Sequence, residues 1–108
     1  MPQATLDAFQ AIGDPSRRHI LMLLSQDSLS INALVENFDI SRPAVSKHIK
    51  ILESNGFITI SDVGRERYCS LKPDGFAELQ QWIAFFNNFW KVKMKNLETA
   101  LNKKNNIK

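Results

Sequence analysis

At Asn55-Gly56 the hydrophobic period of this chain changes from that of a helix to that of a strand. This break restricts the folds open to it. Before the break, Val45, Ile49 and Leu52 recur at helical spacing and form one buried stripe. After it, Phe57–Ser61 and Arg67–Leu71 are rich in β-formers. They flank Asp62-Val63-Gly64-Arg65-Glu66, a polar turn in which Gly64 can take positive φ. A β-hairpin therefore follows directly on a helix.

Upstream, Leu6, Phe9 and Ile12, with Ala8 and Ala11, predict a short first helix that Gly13 can end. Asp14 reads as an N-cap with Pro15 at the first helical position, where its missing N–H costs nothing. The second helix runs through Ile20, Leu21, Leu23 and Leu24. Ser30 caps a third, Ile31 to about Asn37, with Ala33, Leu34 and Phe38 as its apolar positions. The tight link Phe38-Asp39-Ile40 leads to a fourth, capped by Ser41 and carrying Pro43 near its start. Pro73-Asp74-Gly75 reads as a further break, with a long helix from about Phe76 to Leu101. The fold class is thus mainly α with a small β-hairpin, in the order α-α-α-α-β-β-α. A short helix, a tight turn, a capped helix and a hairpin in succession form a winged helix-turn-helix.

With 108 residues the chain has room for one core. The expected domain is 1–101, followed by a basic, disordered tail at 102–108 that is rich in Asn and Lys. No apolar run approaches a membrane span, and Met1–Phe9 lacks the pattern of a signal peptide. The single cysteine, Cys69, has no internal disulfide partner, which fits a reducing cytoplasm. Alternation along its strand places Cys69 on the face of Leu71, pointing inward. No nucleophile stands with a base, and there is no phosphate loop and no meaningful pair of carboxylates. An enzyme, a cofactor and a metal are therefore not expected.

The net charge of +3 suits a polyanionic partner, but where the charge sits matters more. Bases cluster at Arg42, Lys47 and Lys50, at Arg65 and Arg67, from Lys91 to Lys95, and in the tail. On the fourth helix the buried stripe leaves Arg42, Ser46, Lys47 and Lys50 outside, with Ser41 and Pro43 at the N-terminal tip. A helix entering the major groove of double-stranded DNA reads bases with its first turns. Serine can bond several base edges there, and Arg or Lys can reach guanine. Arg65 at the hairpin tip is placed for phosphate or minor-groove contact. Arg67 is a second candidate that can instead pair with a nearby acid.

These blocks resemble a known family. Gly13-Asp14-Pro15-Ser16-Arg17-Arg18-His19-Ile20-Leu21, then Arg42 through Leu52, then Gly56-Phe57-Ile58, are similar in order and spacing to the ArsR/SmtB winged-helix repressors of bacteria. The resemblance covers Leu6 to about Leu101. It implies a homodimeric repressor with the fourth helix in the major groove, the wing on the flanking backbone, and the first and last helices paired across the dimer. The sequence departs from the family's metal sensors. Their Cys-x-Cys helix corresponds to Ile31-Asn32-Ala33-Leu34-Val35-Glu36-Asn37, which has neither Cys nor His, and Trp82–Leu101 has neither Asp nor His. The chain is thus placed in a branch lacking the metal-sensing ligands.

The last helix carries two apolar stripes. Leu79, Ile83, Phe86, Trp90, Met94, Leu97 and Leu101 make one, and Trp82, Phe85, Phe89 and Val92 the other. Together they form an arc wider than a monomer of this size leaves exposed. One stripe is expected to pack on the domain and the other on a partner subunit, joined by Leu6 and Phe9. The dimerisation residues are then Leu6, Phe9, Trp82, Ile83, Phe86, Phe89, Trp90 and Leu97, and two reading helices fall about one DNA turn apart on a pseudo-palindromic site. The alternative is a winged-helix dimer that binds another protein, or a small apolar ligand among Trp82, Phe85, Phe86, Phe89 and Trp90.

Overall fold

The computed structural model describes residues 6–105, with side chains to Lys103. Its elements are α1 (Ala8–Ile12), α2 (Pro15–Leu24), β1 (Leu29–Ser30), α3 (Ile31–Val35), α4 (Arg42–Ser54), β2 (Ile58–Val63), β3 (Glu66–Leu71) and α5 (Pro73–Asn105). The chain divides into two compact units, Met1–Glu78 and Leu79–Lys108.

In the first unit, local chemistry starts and stops the helices where side-chain caps are available. Asp7 and Gln10 form a reciprocal capping box at α1. The Asp14 carboxylate accepts the amides of Ser16 and Arg17 at 2.8 and 3.2 Å, and Pro15 follows it as predicted. Ser30 and Ser41 cap α3 and α4 through the amides of Ala33 and Ala44. At the end of α4, Gly56 takes φ +76°, the Phe57 amide bonds the Leu52 carbonyl, and the Gly56 amide bonds that of Glu53. That is a Schellman cap, and its apolar pair, Leu52 and Phe57, is fully buried. Gly13 ends α1 differently, in a right-handed conformation at φ −68°.

The core of this unit is formed by Ala11, Ile20, Leu24, Leu34, Val45, Ile49, Leu52, Phe57, Ile58 and Cys69. α4 lies against α2, α3 and β2. The sheet has three antiparallel strands in the order β1-β3-β2, one more than the hairpin read from the sequence. β1 adds Leu29 and Ser30 opposite Cys69 and Tyr68. The hairpin is also longer than expected. Asp62 and Val63 continue β2, Glu66 begins β3, and only Gly64-Arg65 remain as the turn, with Gly64 at φ +64°. A two-residue loop with positive φ matches the strand twist.

Pro73-Asp74-Gly75 does not interrupt the chain but forms the first turn of α5, Pro73 opening the helix. Gly75 is buried, and its amide bonds the Gly56 carbonyl at 2.9 Å. A Cβ there would lie 2.8 Å from the Asn55 carbonyl oxygen and 2.8 Å from the Phe57 ring. The second unit is the remainder of α5, which stays helical to Asn105, four residues past the boundary drawn at Leu101; residues 106–108 of the expected tail lie outside the described residues.

Candidate nucleic-acid interface

The outer surface of α4 is set by what its inner surface buries. Val45, Ile49 and Leu52 are taken up by the core. At about 100° per residue, positions 43, 46, 47 and 50 then face away from it. Ser41, Arg42, Pro43, Ser46, Lys47 and Lys50 are all exposed, as the sequence predicts. They differ in what they have free. The Ser41 hydroxyl is held by the cap, 3.2 Å from the Ala44 amide nitrogen. The Arg42 guanidinium donates to the Asn32 side-chain oxygen on α3, which ties the first turn of α4 to the helix before it. The side chains of Ser46, Lys47 and Lys50 have no hydrogen-bond or ion-pair partner among the described residues.

The wing divides in the same way. Arg65 sits at the turn, exposed and without a partner among the described residues. Arg67 lies opposite Asp62 in the register, its Nε 3.5 Å from the carboxylate. Both side chains are well exposed, so this pair is weak and can be exchanged for a phosphate. All eight residues belong to the unit Met1–Glu78.

Two residues of the block Gly13–Leu21 have definite places. Arg17 is buried, and its guanidinium reaches His48 on α4 at 3.1 Å. His19 is exposed and meets Phe38 edge-on, ring centroids 5.1 Å apart. Nothing in their spacing announces that Arg17 turns inward, because its partners lie on two other helices. Asp14 stands beside this cluster. Burial pushes its carboxyl up, but the Arg17 and Ser16 amides, with the charges of His48 and Arg17, outweigh that and hold it below the ordinary value. Cys69 is buried as expected, and burial pushes its thiol up to about 11 against the smaller opposing effect of Arg67. It is therefore neither a thiolate nucleophile nor a ready metal ligand at neutral pH. Among the described residues no three His, Cys, Asp or Glu side chains gather as a metal site would require, and no helix is long and apolar enough to cross a membrane.

On α5 every large apolar side chain from Trp82 to Leu101 is exposed in the single chain. From Trp82 onward both stripes are exposed, Phe86 and Trp90 in the first and Phe85 and Phe89 in the second, while Leu79 at the start of the first is buried. The rings contact one another along the helix, Trp82 with Phe86 at 4.9 Å and Phe89 with Trp90 at 5.1 Å between centroids. Lys93 sits 5.5 Å over the Phe89 ring. In the other unit Leu6 is half-buried and Phe9 partly exposed.

Residues 14–59 match the family model described as bacterial regulatory protein, arsR family. The chain is 34% identical to the HTH-type transcriptional regulator Rv2034 of Mycobacterium tuberculosis over 77% of its own length and 75% of the relative's. It is 34% identical to the transcriptional repressor SdpR of Bacillus subtilis over 76% of this chain and 91% of that one. Among solved structures, an ArsR family transcriptional regulator superposes with a TM-score of 0.72 at 34% identity, covering 78% of this chain and 87% of the other.

Proposed function

The chain belongs to the ArsR family of bacterial transcriptional regulators, which are not enzymes, and we propose that it is a repressor that binds double-stranded DNA as a homodimer. One observation carries this reading. Ser46, Lys47 and Lys50 stand exposed and uncommitted on the outer face of a helix whose inner face is locked into the core. α4 enters the major groove, where Arg42, Ser46 and Lys47 reach base edges from its first turns and Lys50 reaches the backbone. Ser41 and Pro43 form the tip, whose amides favour a phosphate. Arg65 of the wing meets flanking phosphate, with Arg67 exchanging Asp62 for the same partner.

The homodimer covers the aromatic arc of α5. Trp82, Ile83, Phe86, Phe89, Trp90 and Leu97 supply it, joined by Leu6 and Phe9, and aromatic residues are favoured in interfaces. Two copies of α4 then address a pseudo-palindromic operator with half-sites about one turn apart. The usual metal sites of the family lack their ligands here, so the release signal is not a metal bound at either. The reading places the protein in the cytoplasm, with its DNA. The arc also favours a second reading, a module that uses this helix to bind a different protein or a small apolar ligand.

Selection from a random duplex pool tests the proposal. The expected result is an enriched, near-palindromic sequence whose affinity falls steeply as salt rises. Ser46→Ala and Lys47→Ala relax the preference for it. Failure to enrich any duplex overturns the repressor reading and leaves the second one.

A further inference from the structure

Arg17 is only 9% exposed, and its guanidinium spans three pieces of the domain. Its Nε donates to the Ala11 carbonyl at 2.5 Å, and one terminal nitrogen donates to the Gln10 carbonyl at 3.2 Å. Both acceptors lie in the last turn of α1, and the Gln10 carbonyl also accepts the Gly13 amide at 3.1 Å. The other terminal nitrogen lies 3.1 Å from Nδ1 of His48 on α4. The backbone of Arg17 is itself fixed, because its amide donates to Asp14 at the cap of α2.

An arginine has five donors and no acceptor. In this contact Nδ1 of His48 must therefore supply a lone pair. The imidazole is thereby confined to the tautomer with its proton on Nε2. A buried arginine whose donors point at two carbonyls and one ring nitrogen has little freedom left, and neither does what it holds. The planar fork suits this task, since a lysine would place one point charge among three separated acceptors.

We propose that Arg17 is a positioning residue for the reading of DNA, acting through His48: it pins α4 to the α1–α2 elbow and holds the imidazole as the Nε2–H tautomer. The inference rests on the reading of α4 as the DNA-reading helix. A reading helix needs its donors held to within about half an ångström. The apolar stripe of Val45, Ile49 and Leu52 fixes the depth of α4, but apolar contact is not directional. The Arg17–His48 hydrogen bond supplies direction on the flank facing α2. Loss of this bond lowers discrimination between sequences and leaves general attraction to phosphate in place.

The full chain is measured against the enriched duplex and an unrelated one, alongside Arg17→Met, His48→Leu, His48→Gln and the double variant Arg17→Met/His48→Leu. Arg17→Met and His48→Leu should each weaken binding to the enriched duplex about tenfold, and the double variant no more than either. Binding to the unrelated duplex stays unchanged. His48→Gln keeps an acceptor for Arg17 and retains the preference. Long-range proton–nitrogen NMR of the free protein at pH 8 should show His48 protonated on Nε2, and a mixture of tautomers in Arg17→Met. If Arg17→Met does not fold, Arg17→Lys and the two His48 variants carry the same comparison. Additive losses, equal losses on both duplexes, or a Nδ1–H tautomer in the unaltered protein overturn the assignment. If the unaltered protein enriches no duplex, the repressor reading fails and this assignment with it; enrichment with additive losses refutes the assignment alone.

Discussion

Replacing Arg65 by Ala tests how the wing is used, because the structure separates this residue from its neighbours. Arg65 lies at the two-residue turn, exposed and without a partner among the described residues, so its removal breaks no internal contact. Folding stability should move by no more than about 0.5 kcal/mol, as for surface positions in general. The proposed dimer presents the residue twice. Each phosphate neutralised contributes about 0.9 to the slope of log affinity against log salt, so losing two contacts flattens that slope by about 1.8. The assay is fluorescence anisotropy on the enriched duplex and an unrelated one across a salt series. Both should weaken together, since a phosphate contact carries no base information. Arg67→Ala should flatten the slope less, because Asp62 already takes part of its charge. An unchanged slope for Arg65→Ala would show that the wing does not touch the backbone. A loss confined to the enriched sequence would assign the residue to base or groove reading instead.

Four further outcomes follow from the same geometry. Gly75→Ala sets a Cβ 2.8 Å from both the Asn55 carbonyl and the Phe57 ring, and should cost about 1–3 kcal/mol in urea unfolding, as overpacking does. Asp14→Ala removes the cap of α2 and should cost about 1 kcal/mol. Because the Asp14 carboxyl is held below its ordinary value in the folded state, its contribution is present above the unfolded value and lost as pH falls through the folded one; the difference in stability between Asp14→Ala and the unaltered protein should shrink in acid. The Cys69 thiol, raised from 9.0 to about 11, should resist iodoacetamide at pH 8 until the protein is unfolded, as read by mass spectrometry, and its contribution to stability should fall away as pH rises from 9 towards 11. Phe86→Glu/Trp90→Glu should convert a dimer to a monomer in analytical ultracentrifugation, and a dimer that persists places the interface elsewhere.

Where a signal is local, the sequence shows it. Asp14-Pro15, Ser30, Ser41 and Asn55-Gly56 mark helix ends that the structure keeps, since a cap is decided within three or four residues of itself. The exposed face of α4 follows from the spacing of Val45, Ile49 and Leu52 in the same way. Misreadings arise where a distant partner decides. Pro73-Asp74-Gly75 has the composition of a breaker, yet it starts a helix because Gly75 lets that helix approach Asn55 and Phe57 closely. Asp62-Val63 looks like part of the turn because it runs straight into Gly64-Arg65-Glu66, but pairing with Arg67 and Glu66 keeps it in the ladder. Arg17, a charged residue in the first turn of α2, is drawn inward by carbonyls in the last turn of α1 and a ring on α4.

β1 is the clearest such case, and it bears on how the wing is held. Two residues cannot show an alternating pattern, and Ser30 already has an evident role as the cap of α3. In the structure Ser30 serves both ends: its backbone pairs with Tyr68 of β3, and its hydroxyl accepts the Ala33 amide in the first turn of α3. Ser28, one residue before the strand, adds a hydroxyl contact to Ser70 at 2.7 Å. The inner strand of the wing is thereby fastened to the helix that precedes α4, and that helix in turn holds Arg42 through Asn32. A two-strand wing standing alone would be marginally stable. Three strands with Cys69 buried beneath them make the wing part of the same compact unit as α4. Arg65 and the uncommitted side chains of α4 are thus carried on one connected frame, which is the condition for a wing contact and a groove contact to form on the same stretch of DNA.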